Sequence, residues 1–214
     1  MKQQTQRISG SQDSRVTAFI AITLLITACA PQRALLNSER IAERFGSYVV
    51  RLLQQDESRR VSNLASRLDD RLITRTLAIT YFEKPHAEFA EVAASIRGGA
   101  SIGSSFQDAG WEVSKQTRHI GNYSVASGET TVAQLMDISL PRDLAMHVYR
   151  FSVTQGEQSL PFATIVELHH PDYMTASDLR RIYRSNFVAA DAVVAEWRSA
   201  VAAALLDLSA TPTP

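Results

Sequence analysis

Residues 73–81 alternate between two kinds of side chain, and this alternation constrains the fold more than any other feature of the sequence. The odd-numbered positions are mostly large and apolar, with Arg75 among them, and the even-numbered positions carry threonine or alanine. Successive side chains of a β-strand point to opposite faces, so the segment predicts a strand with one face toward a core. Residues 47–54 and 60–66 are also strand-like, and short polar turns separate the three segments. Together they predict an antiparallel meander.

The second half of the chain predicts another group of strands. They cover residues 111–119, 144–153 and 160–169. The last two flank a polar turn at 155–158, the arrangement of a hairpin. Residues 122–137 show no clear period, and we predict a loop there with a short helix at 132–136.

Apolar residues at helical spacing, together with helix start and stop signals, predict helices before, between and after the strands. They begin near Asn37, Pro85, Ser101, Thr175 and Val188. Gly46 is expected to end the first helix, and Thr175 with Asp178 matches a capping box. Charged residues interrupt the apolar stripe of the last helix, so we expect it to pack on a core rather than cross a membrane.

This order of elements predicts one α+β domain over residues 37–208, with an antiparallel sheet of about six strands and helices packed on one face. Residues 209–214 are expected to form a disordered tail. A chain of 214 residues that is 45% hydrophobic is long and apolar enough to bury a core. Lys and Arg number 22, as do Asp and Glu, and this balance argues against a nucleic-acid partner.

The first thirty residues follow a different plan. Lys2, Arg7 and Arg15 precede an uncharged apolar stretch at 16–28. A helix of that length reaches about 20 Å, which is short of the bilayer's hydrocarbon core of about 30 Å. A basic start, a short apolar stretch and small residues at its end predict a secretory signal peptide over residues 1–28.

The end of this stretch reads Ile26, Thr27, Ala28 and Cys29, and Cys29 is the only cysteine in the sequence. The pattern resembles the lipobox of bacterial lipoproteins. The resemblance implies that Cys29 receives a diacylglycerol on its sulfur, becomes the first residue after cleavage, and is acylated on its new amine. Two or more acyl chains hold a protein firmly to a membrane. Residues 29–36 would then be a tether.

The residue after the cysteine is Ala30 rather than aspartate. By the sorting tendency of lipoproteins, the resemblance therefore implies the outer membrane, with the domain facing the periplasm. Residues 44–48 (RFGSY) and 60–64 (RVSNL) also loosely resemble uncharacterised envelope proteins of proteobacteria. That second resemblance implies no activity.

Residues 99–103 (GASIG) match the G-x-S-x-G pattern of serine hydrolases, with Ser101 as nucleophile. The candidates for base and acid are His169, His170, Asp137 and Asp143. The pattern requires a strand before the serine, whereas the residues before Gly98 predict a helix. Ser101 is therefore interpreted as the cap of a short helix in a glycine-rich corner.

The histidines do not predict a metal site. His86, His119 and His147 are isolated in the sequence, and the adjacent His169 and His170 would point to opposite faces of a strand. No phosphate-binding motif is present, so neither a metal nor another cofactor is predicted. The arginine clusters are interpreted as solvated surfaces. They are Arg59–Arg60 and Arg180–Arg181 with Arg184.

The sequence thus favours a non-enzymatic, lipid-anchored envelope protein with a binding or scaffolding role. Its expected contacts are the membrane, through Cys29, and another envelope protein. The alternative is a lipid-anchored serine hydrolase that uses Ser101. A third hypothesis is a carrier with an apolar cavity between sheet and helices.

Overall fold

A computed structural model describes residues 35–210 of the chain. Six antiparallel strands form one sheet in the order β1-β2-β3-β6-β5-β4. The strands are β1 (Val49–Gln55), β2 (Arg59–Leu68), β3 (Arg71–Phe82), β4 (Glu112–Val125), β5 (Arg142–Gln155) and β6 (Gln158–His169). The sheet therefore consists of two three-stranded meanders that meet along their last strands, β3 and β6.

The helices of the described residues precede, separate and follow these strands. They are α1 (Asn37–Phe45), α2 (Ala90–Arg97), α3 (Ile102–Asp108), α4 (Thr130–Met136), α5 (Ala176–Tyr183) and α6 (Asp191–Ala210). A 3-10 turn at Ala87–Phe89 leads into α2. Within residues 35–210, no helix is both long enough and apolar enough to cross a bilayer.

The predicted α+β class and the antiparallel sheet of six strands are confirmed. Gly46 ends α1 with a φ of 73°, in the left-handed region, and its N–H donates to the carbonyl of Ala42. The capping box of α5 is also present, since the Thr175 hydroxyl accepts from the Asp178 N–H at 3.1 Å. These local signals act through neighbouring residues alone, which is why the sequence reveals them.

The helices cover both faces of the sheet, not one as expected. On one face, here called the α6 face, Leu77 and Leu168 pack with Leu205 of α6 and Met136 of α4. The opposite face, here called the α1 face, is covered by α1, α2, α3 and α5. The β3 residues on this face are threonine and alanine. In the sequence such residues are typical of a solvent-facing surface, but their small side chains also leave room for helices.

Two strands depart from simple alternation. In β3, Arg75 is an extra residue between the pairs Leu64–Thr76 and Ala65–Thr74. It does not share the side of Leu77, because its guanidinium lies 3.7 Å from the ring centroid of Phe45 in α1. A bulge thus removes a charged group from an apolar face, where its burial would be costly. In β4 the register shifts next to Thr117, and the strand continues to Val125, beyond its predicted end.

A further bulge shifts the central hairpin of β5 and β6. Ser152 pairs with Pro161, but Phe151 pairs with Ala163, so Phe162 is an extra residue in β6. Pro161 has no N–H to donate, and proline within a sheet is confined to edges and bulges. The shift places His147 directly opposite Glu167.

Leu205 and Leu206 are neighbours in α6, and they test the packing of this helix. Leu205 is 5% exposed and Leu206 is 68% exposed. We expect Leu205→Ala to lower the free energy of unfolding by about 2–5 kcal/mol, because it leaves a cavity in the core. Leu206→Ala should change it by no more than about 0.5 kcal/mol. Urea denaturation of both variants measures the difference, and equal effects would contradict the packing of α6 described above.

Candidate functional site

The α1 face carries a group of buried polar side chains at the junction of the two meanders. We call it the Glu167 cluster, and it draws on α1, β3, β5 and β6. Its members are Asn37, Thr76, His147, Tyr149, Glu167 and His169. Each of these residues is less than 5% exposed. Polar groups buried to this degree are costly unless they find partners.

Strand register brings these side chains together. His147 of β5 lies opposite Glu167 of β6, and His169 follows two residues later on the same face. On the other side of β6, Thr76 of β3 lies opposite His169. The cluster therefore requires all three strands, β3, β5 and β6.

Hydrogen bonds fix one oxygen of Glu167. Its Oε1 accepts from the Asn37 side-chain amide at 3.2 Å and from the Tyr149 hydroxyl at 3.0 Å. The same amide group donates to Thr76 Oγ1 at 3.2 Å, and the side-chain oxygen of Asn37, Oδ1, accepts from the Tyr173 hydroxyl at 2.7 Å. The first turn of α1 is therefore fastened to the sheet through Asn37.

Three buried atoms of the cluster have no hydrogen-bond partner. They are His147 Nδ1, Glu167 Oε2 and His169 Nε2. The other ring nitrogen of each histidine is engaged, since His147 Nε2 lies 3.2 Å from Thr117 Oγ1 and His169 Nδ1 lies 3.0 Å from Thr76 Oγ1. Ligand atoms of the three residues lie within 4.8 Å of one another. Two neutral imidazoles and one carboxylate in this arrangement are able to hold a metal ion.

Burial determines the protonation of the two imidazoles. It lowers the pKa of His169 to about 4, although Glu167 acts in the opposite direction. Burial also lowers the pKa of His147 well below its ordinary value, with Lys115 adding to the effect. Both rings are therefore neutral at pH 7, and each keeps one nitrogen with a free lone pair.

Lys115 of β4 is the positively charged neighbour of the cluster. Its Nζ lies 4.6 Å from the ring centroid of Tyr149. Burial opposes its charge, but attraction to Tyr183 and Glu167 outweighs burial and raises the pKa of Lys115. An ammonium group therefore lies beside the cluster, near the Glu167 side chain.

A cavity of about 60 Å³ lies beside Glu167, between the sheet and helices α1 and α3. Its polar lining includes Tyr48, Arg60, Ser101, Lys115, Tyr149 and Glu167. A cavity of this size, with these polar groups in its wall, has room for a few water molecules or for a small ion. The cavity is much smaller than the roughly 300–1,000 Å³ of sites for drug-sized ligands.

The arginine pair of β2 is divided between two environments. Arg59 is bound to Asp207 of α6 at 2.7 Å, whereas Arg60 is only 1% exposed. The Arg60 guanidinium donates to the carbonyls of Ile96, Gly99 and Ala100. The expectation of a solvated pair is therefore wrong for Arg60, because adjacent strand residues point to opposite faces. The pairing of Arg181 with Asp178 at 2.8 Å is a surface contact of the expected kind.

The structure does not give Ser101 the surroundings of a hydrolase nucleophile. Ser101 occupies the N-cap position of α3, although its side chain makes no capping hydrogen bond, and it follows helix α2 rather than a strand. Its Oγ lies 3.5 Å from the Tyr48 hydroxyl and 3.4 Å from Ser104 Oγ. Among the described residues, the hydroxyl of Ser101 thus bonds with Tyr48 and Ser104 and not with a histidine.

The candidate bases and acids are dispersed. His169 belongs to the Glu167 cluster, and His170 accepts from the Asp172 N–H. Asp137 pairs with Arg71 at 3.1 Å, and Asp143 lies exposed on β5. Cys29, the predicted lipidation site, lies outside the described residues.

Sequence reasoning missed His147 and Glu167 as partners of His169. Glu167 and His169 are two residues apart in a predicted strand, and this spacing predicts that their side chains lie on the same face. The pairing with His147 leaves no such signal, because it depends on the bulge at Phe162.

Comparison with known proteins gives matches among solved structures only. No family model matches the chain, and no curated protein matches it. Among solved structures, the C-terminal domain of Yurk from Bacillus subtilis is similar over 64% of this chain and 85% of that chain. The two are 19% identical, with a TM-score of 0.34.

Substitutions of Arg59 and Arg60 in β2 test the buried part of this site. Arg60→Met removes the guanidinium that donates to three carbonyls near the end of α2, and we expect it to cost about 1–3 kcal/mol of unfolding free energy. Arg59→Met removes a contact to an exposed carboxylate and should cost about 1 kcal/mol or less. Denaturant unfolding compares them, and an Arg59→Met variant as unstable as Arg60→Met would contradict this assignment.

Proposed function

We propose that this protein is a lipid-anchored envelope protein with a binding role, held by Cys29 at the periplasmic side of the outer membrane. The observation that carries the proposal is the lipobox pattern at residues 26–29, which ends an uncharged apolar stretch. The anchoring cysteine is the only one in the chain, so no other thiol competes for modification or pairs with it.

The binding role is supported by the cavity beside Glu167. A carboxylate, an ammonium group and a guanidinium line a space that an apolar core would otherwise fill. Polar groups that converge on a concave site are typical of ligand recognition. The hydrolase alternative has less support, because the strand–turn–helix that would expose Ser101 is replaced by two helices.

Replacing Cys29 tests the anchor. In a bacterium with two membranes, we expect wild-type protein to incorporate a fatty-acid analogue and to sediment with the outer membrane. Cys29→Ala removes the acylated sulfur and should abolish labelling. Ala30→Asp is the matched control, since it should keep the label and move the protein to the inner membrane. Mass spectrometry that finds an unmodified Cys29 on a chain that still begins at Met1 would overturn the anchor.

A fluorophosphonate probe tests the non-enzymatic role. We expect no labelling of the purified full chain, because Ser101 lacks a base to activate it. Labelling that disappears in Ser101→Ala would overturn the binding role in favour of a hydrolase. Ser104→Ala is the matched control, since its hydroxyl lies near that of Ser101.

A further inference from the structure

We propose that His147, Glu167 and His169 form a binding site for a divalent transition-metal ion. The inference goes beyond the lipid-anchored binding role and does not depend on the anchor. It starts from three atoms, His147 Nδ1, Glu167 Oε2 and His169 Nε2, which are buried without a hydrogen-bond partner. Buried polar atoms are nearly always satisfied, so three unsatisfied atoms in one cluster require an explanation.

The spacing of these atoms suits a metal ion. Bonds of about 2.1 Å in a tetrahedral site separate neighbouring ligand atoms by roughly 3.4 Å. His169 Nε2 and Glu167 Oε2 are 3.5 Å apart, which is already that separation. One ligand atom from each of the three residues lies within 4.8 Å of the other two, so a small movement of the His147 ring brings all three to bonding distance of one ion. A distance of 3.5 Å is at the outer limit for a direct hydrogen bond between His169 and Glu167.

The surrounding residues orient each ligand. Metal-binding histidines almost always donate their other ring N–H to a neighbour, which fixes the ring and its free lone pair. Thr117 and Thr76 occupy these positions for His147 and His169. Asn37 and Tyr149 likewise hold Glu167 by donating to Oε1, the oxygen that is not a proposed ligand. Each proposed ligand is thus fixed at one atom and has one atom free.

The donor set indicates the class of metal. Two imidazole nitrogens with one carboxylate oxygen suit Zn²⁺ or Fe²⁺, whereas Mg²⁺ and Ca²⁺ prefer oxygen ligands throughout. Three protein ligands leave a coordination position open, and Glu167 also lines the 60 Å³ cavity. Lys115 lines the same cavity, so its charge favours a hydroxide or another small anion as the remaining ligand. That anion would offset the charge of a divalent ion beside an ammonium group.

Metal titration of the full chain tests the site. We choose the Cys29→Ala background without a polyhistidine tag, so that neither a thiol nor added histidines bind metal. We expect one Zn²⁺ per chain, and visible bands of His-coordinated Co²⁺ as an independent signature. His169→Gln should weaken Zn²⁺ binding by more than about 100-fold, since it removes a ligand, and Thr76→Val by about 10-fold, since it removes only orientation.

His170→Gln is the matched control, because His170 is the next residue but bonds to Asp172 outside the cluster. It should leave Zn²⁺ affinity within about twofold of the unaltered site. Equal loss in His169→Gln and His170→Gln would overturn the proposal, as would the absence of Zn²⁺ and Co²⁺ binding in a folded chain. In the latter case the cluster is a buried proton-sharing network only.

NMR of ¹⁵N-labelled histidine covers the case in which a substitution prevents folding. It requires no change to the cluster, and the chain has five histidines. Zn²⁺ should shift the ring nitrogens of His147 and His169 and leave the other three rings unaltered. A shift confined to His86, His119 or His170 would overturn the proposal. The lipid-labelling experiment has a separate readout, so failure of the metal site and failure of the anchor are distinguishable.

Discussion

One extra residue in β6 decides which side chains meet at the centre of this sheet. Phe162 interrupts the register between Ser152–Pro161 and Phe151–Ala163. If the register of the Gln155–Gln158 pair continued unshifted, His147 would lie opposite Val166, whose side chain belongs to the α6 face. A slip of one residue exchanges the two faces of a strand. The Glu167 cluster therefore depends on a bulge about fifteen residues along the hairpin from His147.

The α1 face shows how the protein stabilises charge away from water. Arg60 has no carboxylate partner, and three backbone carbonyls bind its guanidinium instead. Glu167 receives two hydrogen bonds on one oxygen and lies near Lys115. Burial of such groups costs more than apolar packing unless each is compensated. Around Arg60 one donor, Nε, stays without a partner, whereas the cluster brings together three free atoms from three residues, which is why the cluster rather than Arg60 is the candidate site.

The parts of the fold that could be predicted from the sequence are those set by neighbouring residues. The alternation in β3, the glycine at the end of α1 and the capping box of α5 each depend on a few adjacent positions. The placement of Arg75 and the pairing of His147 with Glu167 could not be predicted, because both depend on bulges. Helices on both faces were missed for a related reason. Threonine and alanine on β3 indicate a small surface, but not whether water or a helix covers it.

The seam between β3 and β6 joins parts of the chain that are far apart. Thr76 and His169 are in contact there although 93 positions separate them. Within each meander, by contrast, every strand pairs with a strand that is next to it in the chain. Because closing long loops is entropically costly, we expect each meander to form before the seam closes. The Glu167 cluster takes groups from both sides of that seam. Folding intermediates with two separate meanders would thus already have most of their sheet and still lack the site.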